Sequence, residues 1–270
     1  MNAVDTRPIG LFDSGVGGLT VLKAVSKLMP SEDLVYFGDT AHLPYGSKSP
    51  AAVTRFALAA AGFLVGKGIK ALVVACNTSS ALALPALKRR FRLPIVDVVG
   101  PAARAALGRA RAGRVGVIAT EATIASRAYP KALAAGRRGL SVRSRPCPLF
   151  VPLVEEGWWE DPVTEEVARR YLESFKEPRP EVMILGCTHY PLLKKTISRV
   201  LGRSVKLVDS GEEAALELRA LLGARSLLGR TRGRGRWSFY VSDAPERFSR
   251  LSGRWLGPRA TRARLWVPGE

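Results

Sequence analysis

The stretch Leu72-Val73-Val74-Ala75-Cys76-Asn77-Thr78 decides how this chain is read. Its apolar run shows no polar alternation, the mark of a strand covered on both faces as in a parallel sheet. The run stops on a thiol, and polar residues then lead into a segment expected to be helical from Ser79 to Phe91. The chain repeats the pattern at Met183-Ile184-Leu185-Gly186-Cys187-Thr188-His189. A second pair also looks alike: Gly10-Leu11-Phe12-Asp13-Ser14-Gly15 and Lys206-Leu207-Val208-Asp209-Ser210-Gly211. Each member is a hydrophobic strand that ends on a polar residue and enters a helix. Two related lobes facing each other would leave such similarity. It puts Cys76 and Cys187 in equivalent places at the carboxyl ends of strands, where open α/β sheets bind ligands.

Outward from these segments, short β-branched runs alternate with longer Ala/Leu-rich ones. That pattern predicts an α/β protein with mainly parallel sheets. Strands are expected at Ile9–Phe12, Leu34–Phe37, Ala71–Ala75, Ile95–Val98, Val115–Ala119, Val182–Leu185, Val205–Val208 and Trp237–Val241. Helices are expected at Leu19–Leu28, Pro50–Gly66, Ser79–Phe91, Thr123–Ala134, Val163–Phe175, Leu192–Leu201, Glu212–Leu222 and Pro245–Leu256.

With 270 residues, 47% of them apolar, the chain can bury a sizeable core and reads as a soluble globular protein. Its longest charge-free apolar run, Phe56 to Gly66, lies between Arg55 and Lys67 and falls short of the about 20 residues a bilayer requires. Met1 to Gly10 has no apolar stretch, and Asp5 stands where a signal peptide would be basic, so the expected location is cytoplasmic. Cys76, Cys147 and Cys187 are far apart and share no ligand spacing, which argues against a disulfide framework and against a zinc site. The 42 basic residues exceed the 23 acidic ones by 19. Such a charge favours contact with nucleic acid or other polyanions. The arginines are dispersed and no nucleic-acid-binding motif accompanies them, so a compositional origin is preferred. The densest stretch, Arg230, Arg232, Arg234 and Arg236, alternates with glycine and threonine and is expected to be an exposed loop.

A thiol between a strand end and a helix start is expected to have its pKa lowered by the helix N-terminus. Alone, Cys76 would read rather as a buried structural cysteine. Cys187 stands in the same setting, followed by Thr188 and by His189, one of only two histidines. Two matching cysteines argue for a common site between two lobes. Thiols on opposite faces of one small substrate suit inversion at a carbon acid, where one face needs a base and the other an acid. A Cys/His hydrolase would need one nucleophile and leave the second cysteine unexplained.

In Asp13-Ser14-Gly15-Val16-Gly17-Gly18, glycines let the backbone approach a ligand and the next helix offers partial positive charge to an anion. The spacing fits neither the dinucleotide fingerprint nor the P-loop, so a carboxylate is the more economical anion. A plain turn before a helix is the alternative. Gly38 to Gly46 reads as a polar loop over a site. Thr120 and Thr123 can cap a helix or bind an anion. Glu155 and Glu156 follow an apolar run and read equally as site carboxylates or as a solvated turn.

The segments Gly10 to Gly18, Tyr36-Phe37-Gly38-Asp39, Leu43-Pro44-Tyr45-Gly46, Ala75-Cys76-Asn77-Thr78, Phe150 to Glu155 and Leu185 to Leu192 together resemble the bacterial glutamate racemases of the aspartate/glutamate racemase superfamily. The resemblance spans essentially the whole chain. It implies two flavodoxin-like α/β lobes related by a pseudo-two-fold, with the active site between them. The first lobe would comprise residues 1–98 plus a returning 209–270, and the second 99–208. It further implies cofactor-independent interconversion of L- and D-glutamate for peptidoglycan synthesis, by a homodimer that uses no metal. On this resemblance Cys76 would deprotonate D-glutamate and Cys187 L-glutamate. Asp13 would assist Cys76, His189 would assist Cys187, and Glu155, rather than its neighbour Glu156, would be a further helper. Ser14, Tyr45, Gly46, Asn77, Thr78, Thr120, Thr123 and Thr188 fall on substrate-binding positions, with Asp13 and His189 beside them. Several would act through backbone groups. The short start argues against the activation by a cell-wall precursor found in some members with an extension. The alternatives are a two-cysteine racemase of aspartate or a hydantoin, and, from the charge, a nucleic-acid-binding protein. Cys147, between Pro146 and Pro148, is expected to be structural.

Overall fold

The computed structural model describes residues 5–229, 233–260 and 262–267. The chain begins β1 (Ile9–Asp13), α1 (Leu19–Leu28), β2 (Leu34–Gly38), α2 (Pro50–Gly66), β3 (Ala71–Val74), α3 (Asn77–Leu82), α4 (Leu84–Arg90), β4 (Ile95–Asp97) and α5 (Val99–Arg109). A second set follows: β5 (Arg114–Ala119), α6 (Glu121–Ala125), α7 (Ala128–Gly136), β6 (Ser141–Pro146), α8 (Phe150–Glu156), α9 (Pro162–Leu172), β7 (Val182–Gly186), α10 (Lys194–Leu201) and β8 (Lys206–Asp209). The chain then runs through α11 (Ser210–Ala224), β9 (Trp237–Val241), α12 (Pro245–Leu256) and β10 (Arg264–Leu265).

Two sheets result, with every pairing parallel. The first has the order β10-β9-β2-β1-β3-β4 and the second β6-β5-β7-β8. Without the added β9 and β10, the two orders are the same. Strands β1, β2, β3 and β7 are buried along their whole length, as expected of unbroken apolar runs. The expected α/β architecture with two similar lobes is therefore present.

The shared order makes β3 and β7 counterparts, so Cys76 and Cys187 do follow equivalent strands. The second expected pair is corrected. The counterpart of β8 is β4, and the counterpart of β1 is β5. Asp209 therefore matches Asp97, not Asp13. The two aspartates act alike: Asp97 Oδ1 accepts from the N–H groups of Val99 and Gly100, and Asp209 Oδ1 from those of Gly211 and Glu212. Both cap the helix that follows. Register pairs Asp13 with Ala119 and Ser14 with Thr120.

Local chemistry explains the other departures. The helix expected over Ser79–Phe91 breaks at Ala83, because Pro85 in the first turn of α4 has no N–H to donate backwards. The one expected over Thr123–Ala134 breaks at Arg127, which sits left-handed at φ 56°. Strand β6 went unforeseen because Arg143 and Arg145 interrupt its apolar pattern; it is an edge strand, where charge is usual. Arg234 and Arg236 are exposed as expected, whereas Arg230 and Arg232 lie outside the described residues.

One apolar core runs through both lobes, joining Leu11, Leu22 and Tyr36 to Phe150, Tyr190 and Ile197. Separate clusters lie behind each sheet, under α2 and between α5 and α7. Among the described residues no helix is long and apolar enough to cross a membrane, and no group of three or more His, Cys, Asp or Glu side chains is placed to hold a metal ion.

Candidate active site

Both sheets point their carboxyl ends at one cavity of about 340 Å³. In each, the order reverses between the central pair, β1/β3 and β5/β7, the switch point where such sheets open a crevice. Cys76 and Cys187 leave β3 and β7 at these two points, and both line the cavity.

On the first side, β1 ends in Asp13, which is wholly buried. Its Oδ2 accepts from the Gly15 N–H at 3.1 Å, while Oδ1 has no hydrogen-bond partner among the described residues. Burial raises its pKa, against the pull of His189 and of the nearby N–H groups. Tyr36 donates its hydroxyl to the Gly15 carbonyl at 2.7 Å and steadies the glycine turn. That turn passes hard against the other lobe. A Cβ on Gly17 would collide with Thr188 Oγ1 and lie 2.5 Å from His189 Nδ1.

Cys76 caps α3 and lies 3.9 Å from Ser14 Oγ. Here the structure reverses an expectation. Burial, and after it the charge of Asp13, outweighs the hydrogen bonds from Ser79, and the thiol is pushed up to about 12. The start of a short helix does not offset this desolvation.

On the second side, Cys187 Sγ is 3.9 Å from His189 Nδ1, and His189 Nε2 is 3.2 Å from Glu155 Oε1. Burial opposes charge on this imidazole. The thiol of Cys187 and the carboxylate of Glu155 outweigh it and push the pKa up to about 10. Burial likewise works to raise Glu155, but its bond to His189 and the charges of His189 and Arg247 hold it low. Glu155, on α8, thus faces the site, and Glu156 beside it is exposed.

The hydroxyls of Thr78, Thr120 and Thr123 close a triangle with sides of 3.0, 3.1 and 2.9 Å across the two lobes. Both amide atoms of Asn77 are engaged: Tyr129 donates to its Oδ1 at 2.6 Å, and its Nδ2 donates to Ser210 Oγ at 3.2 Å. The loop after β2 covers the cavity with Leu43, Pro44, Gly46 and Ser47. A Cβ on Gly46 would sit 2.7 Å from that of Thr120, so the loop rests on the second lobe.

Of the expected site residues, Ser14, Gly46, Cys76, Asn77, Thr78 and Thr120 line the cavity from one side of the chain's midpoint, and Glu155, Cys187, Thr188 and His189 from the other. Asp13, Tyr45 and Thr123 stand behind the wall. Tyr45 turns its hydroxyl inward to Asp39 Oδ2 at 2.5 Å. Sequence reasoning missed Asp39 as the anchor of this loop; its place directly after an apolar strand was the available signal. Arg247, bonded to Glu155, gave no signal among so many arginines.

Residues 19–218 match the Asp/Glu/Hydantoin racemase family. A glutamate racemase from Geobacter metallireducens is 52% identical over 251 residues, covering 93% of each chain. The chain belongs to the glutamate racemases of that family. Solved structures of other glutamate racemases carry the likeness into three dimensions. That from Thermus thermophilus, in complex with beta-chloro-D-alanine, superposes with a TM-score of 0.88 at 49% identity, covering 98% of this chain and 99% of the other. That from Francisella tularensis, in complex with D-glutamate, gives 0.91 at 38% identity, covering 98% of each chain.

Proposed function

We propose that the chain interconverts L- and D-glutamate by two-base proton transfer, without a cofactor, between Cys76 and Cys187. The observation that carries this reading is the pair of thiols on counterpart strands of two sheets, both lining one cavity. In one direction Cys187 takes the α-proton from L-glutamate and Cys76 gives its own proton to the opposite face. In the other direction the roles exchange. Each turnover breaks one C–H bond and makes one, so the protein ends with its proton moved from one sulfur to the other.

The helpers differ on the two sides. Cys76, pushed up to about 12 by burial, keeps its proton at neutral pH and is poised as the acid. To act as base on D-glutamate it must give that proton up, and Asp13, itself raised by burial, is suited to hold it. Cys187 is served by His189, whose cationic ring steadies negative charge on sulfur, with Glu155 behind it. The substrate carboxylates and ammonium are taken by Ser14, Thr78, Thr120 and Thr188 and by backbone groups of Gly46 and Asn77. Tyr45 and Thr123 support that shell from behind. This reading also takes residues 1–98 plus 209–270 and 99–208 as the two lobes, and the chain as a cytoplasmic homodimer that supplies D-glutamate for peptidoglycan.

The test is circular dichroism of L-glutamate mixed with dialysed protein, free of pyridoxal phosphate, metal and nucleotide. The signal should decay to zero. Cys76→Ser and Cys187→Ser should each abolish racemisation, and Cys147→Ser should keep it. Full activity in either of the first two, or faster turnover of aspartate, overturns the reading.

A further inference from the structure

Helix α12 belongs to the C-terminal segment that extends the first sheet, yet it touches the Cys187 machinery at two points. Arg247, in its first turns, places Nη2 3.1 Å from Glu155 Oε2. Trp255, in its last turn, sets its buried ring perpendicular to that of His189 with centroids 5.8 Å apart. The Glu155 carboxylate is therefore shared, one oxygen on His189 and the other on Arg247. A chain of four groups, Arg247–Glu155–His189–Cys187, runs from the first sheet's extension into the second lobe.

The accessibilities show which partner needs the other. The Glu155 side chain is 14% exposed and that of Arg247 55%. Glu155 stands at the rim of the cavity, and its carboxylate would turn outward to water if nothing held its outer oxygen. Arg250 and Arg254 of α12, which line the same crevice with Glu156, could then capture it, whereas Asp243 before that helix would repel it. From inside it faces His189, which also feels Asp13 and Cys187. A histidine that works beside a nucleophilic or acidic group is oriented through the bond on its far nitrogen.

We propose that Arg247 is a positioning residue for the Cys187 half of the reaction: it pins Glu155 so that His189 is held toward Cys187, and it ties that geometry to the seating of α12. The inference rests on the two-base reading for its kinetic consequence, though not for its geometric one. Because a single guanidinium nitrogen makes the contact, lysine should replace it in part.

Two measurements on the full chain test this. The chain has only His42 and His189, so imidazole nitrogen spectra of the ligand-free protein can follow His189 alone. In Arg247→Gln the His189 titration should move down by roughly half a unit or more, and in Arg247→Lys it should recover. In the circular dichroism assay Arg247→Gln should lower kcat by roughly three- to ten-fold with little change in KM, the size expected of a half-exposed charge contact. Its alkaline limb should shift to lower pH. Arg254→Gln serves as the control: among the described residues its hydrogen bond goes to the Glu156 carbonyl, at 3.5 Å, and not to Glu155, so loosening α12 there should leave the His189 titration in place. An unmoved titration in Arg247→Gln, or an equal shift in Arg254→Gln, overturns the proposal. If the wild type fails to racemise glutamate, the two-base reading fails, while the spectra still decide whether Arg247 governs His189.

Discussion

Gly17 shows how much of the site depends on an atom that is absent. Thr188 and His189 occupy the space where its side chain would begin, and the Thr20 hydroxyl donates to the Thr188 carbonyl at 2.9 Å alongside. Gly17→Ala should push both residues away from Cys187. A displacement of about 1 Å at a reacting group costs on the order of a hundred-fold in rate. We therefore expect racemisation to fall by about that factor while far-ultraviolet circular dichroism is unchanged; near-normal kcat would show that the turn can yield. At this scale the sequence announced residues whose chemistry is local. The cysteines and His189 stood out by type and setting, whereas Glu155 was carried by the resemblance alone. Arg247 acts on Glu155 across 92 residues and Asp39 accepts from Ser242 across 203, spans that no window of sequence displays, although the Asp39–Tyr45 bond itself is local. The acidity of Cys76 was misread for a related reason: the helix start beside it is visible in sequence, but the desolvation that outweighs it is a property of the packed interior.

The matched caps give the elements their own test. Asp97 and Asp209 start α5 and α11 in the same way, but Asp209 also pairs with Lys194 at 2.7 Å. Asp97→Ala should remove only a cap, costing about 1 kcal/mol. A thermal melt should then drop by roughly 2–4 °C with racemisation intact. A larger loss, or lost activity, would mean that α5 does more than pack. Strands were legible wherever both faces are buried, since nothing but unbroken apolar sequence satisfies that environment. Strand β6 and the short β10 escaped because edge strands tolerate charge, and the starts of α4 and α7 escaped because breaks at Ala83 and Arg127 are backbone events inside compositions that favour helix.

For the molecule as a whole, proton linkage sets an asymmetric stability profile. His189 is raised from 6.5 to about 10 in the folded state, so the native protein holds that proton more tightly than the unfolded chain does. Its contribution is complete below pH about 6.5 and is lost as pH climbs toward 10. Cys76, raised from 9.0 to about 12, adds a further loss across that higher window. Denaturant titrations should therefore show stability falling on the alkaline side, and His189→Gln should flatten the first part of the fall. An unchanged slope in that variant would place the linkage elsewhere. The two-lobed plan itself was visible in the repeated strand–cysteine–helix segments, whereas the pairing of Asp209 with Asp97 needed the strand order. The unequal backing of the two thiols, an aspartate behind one and a histidine–glutamate pair behind the other, has a thermodynamic limit. Mirror-image free amino acids have equal free energies, so for the proposed reaction kcat/KM must be the same in both directions whatever the enzyme's own asymmetry. The different helpers can only redistribute that fixed ratio: the enantiomer that turns over faster must also be the one held more weakly, in the same proportion.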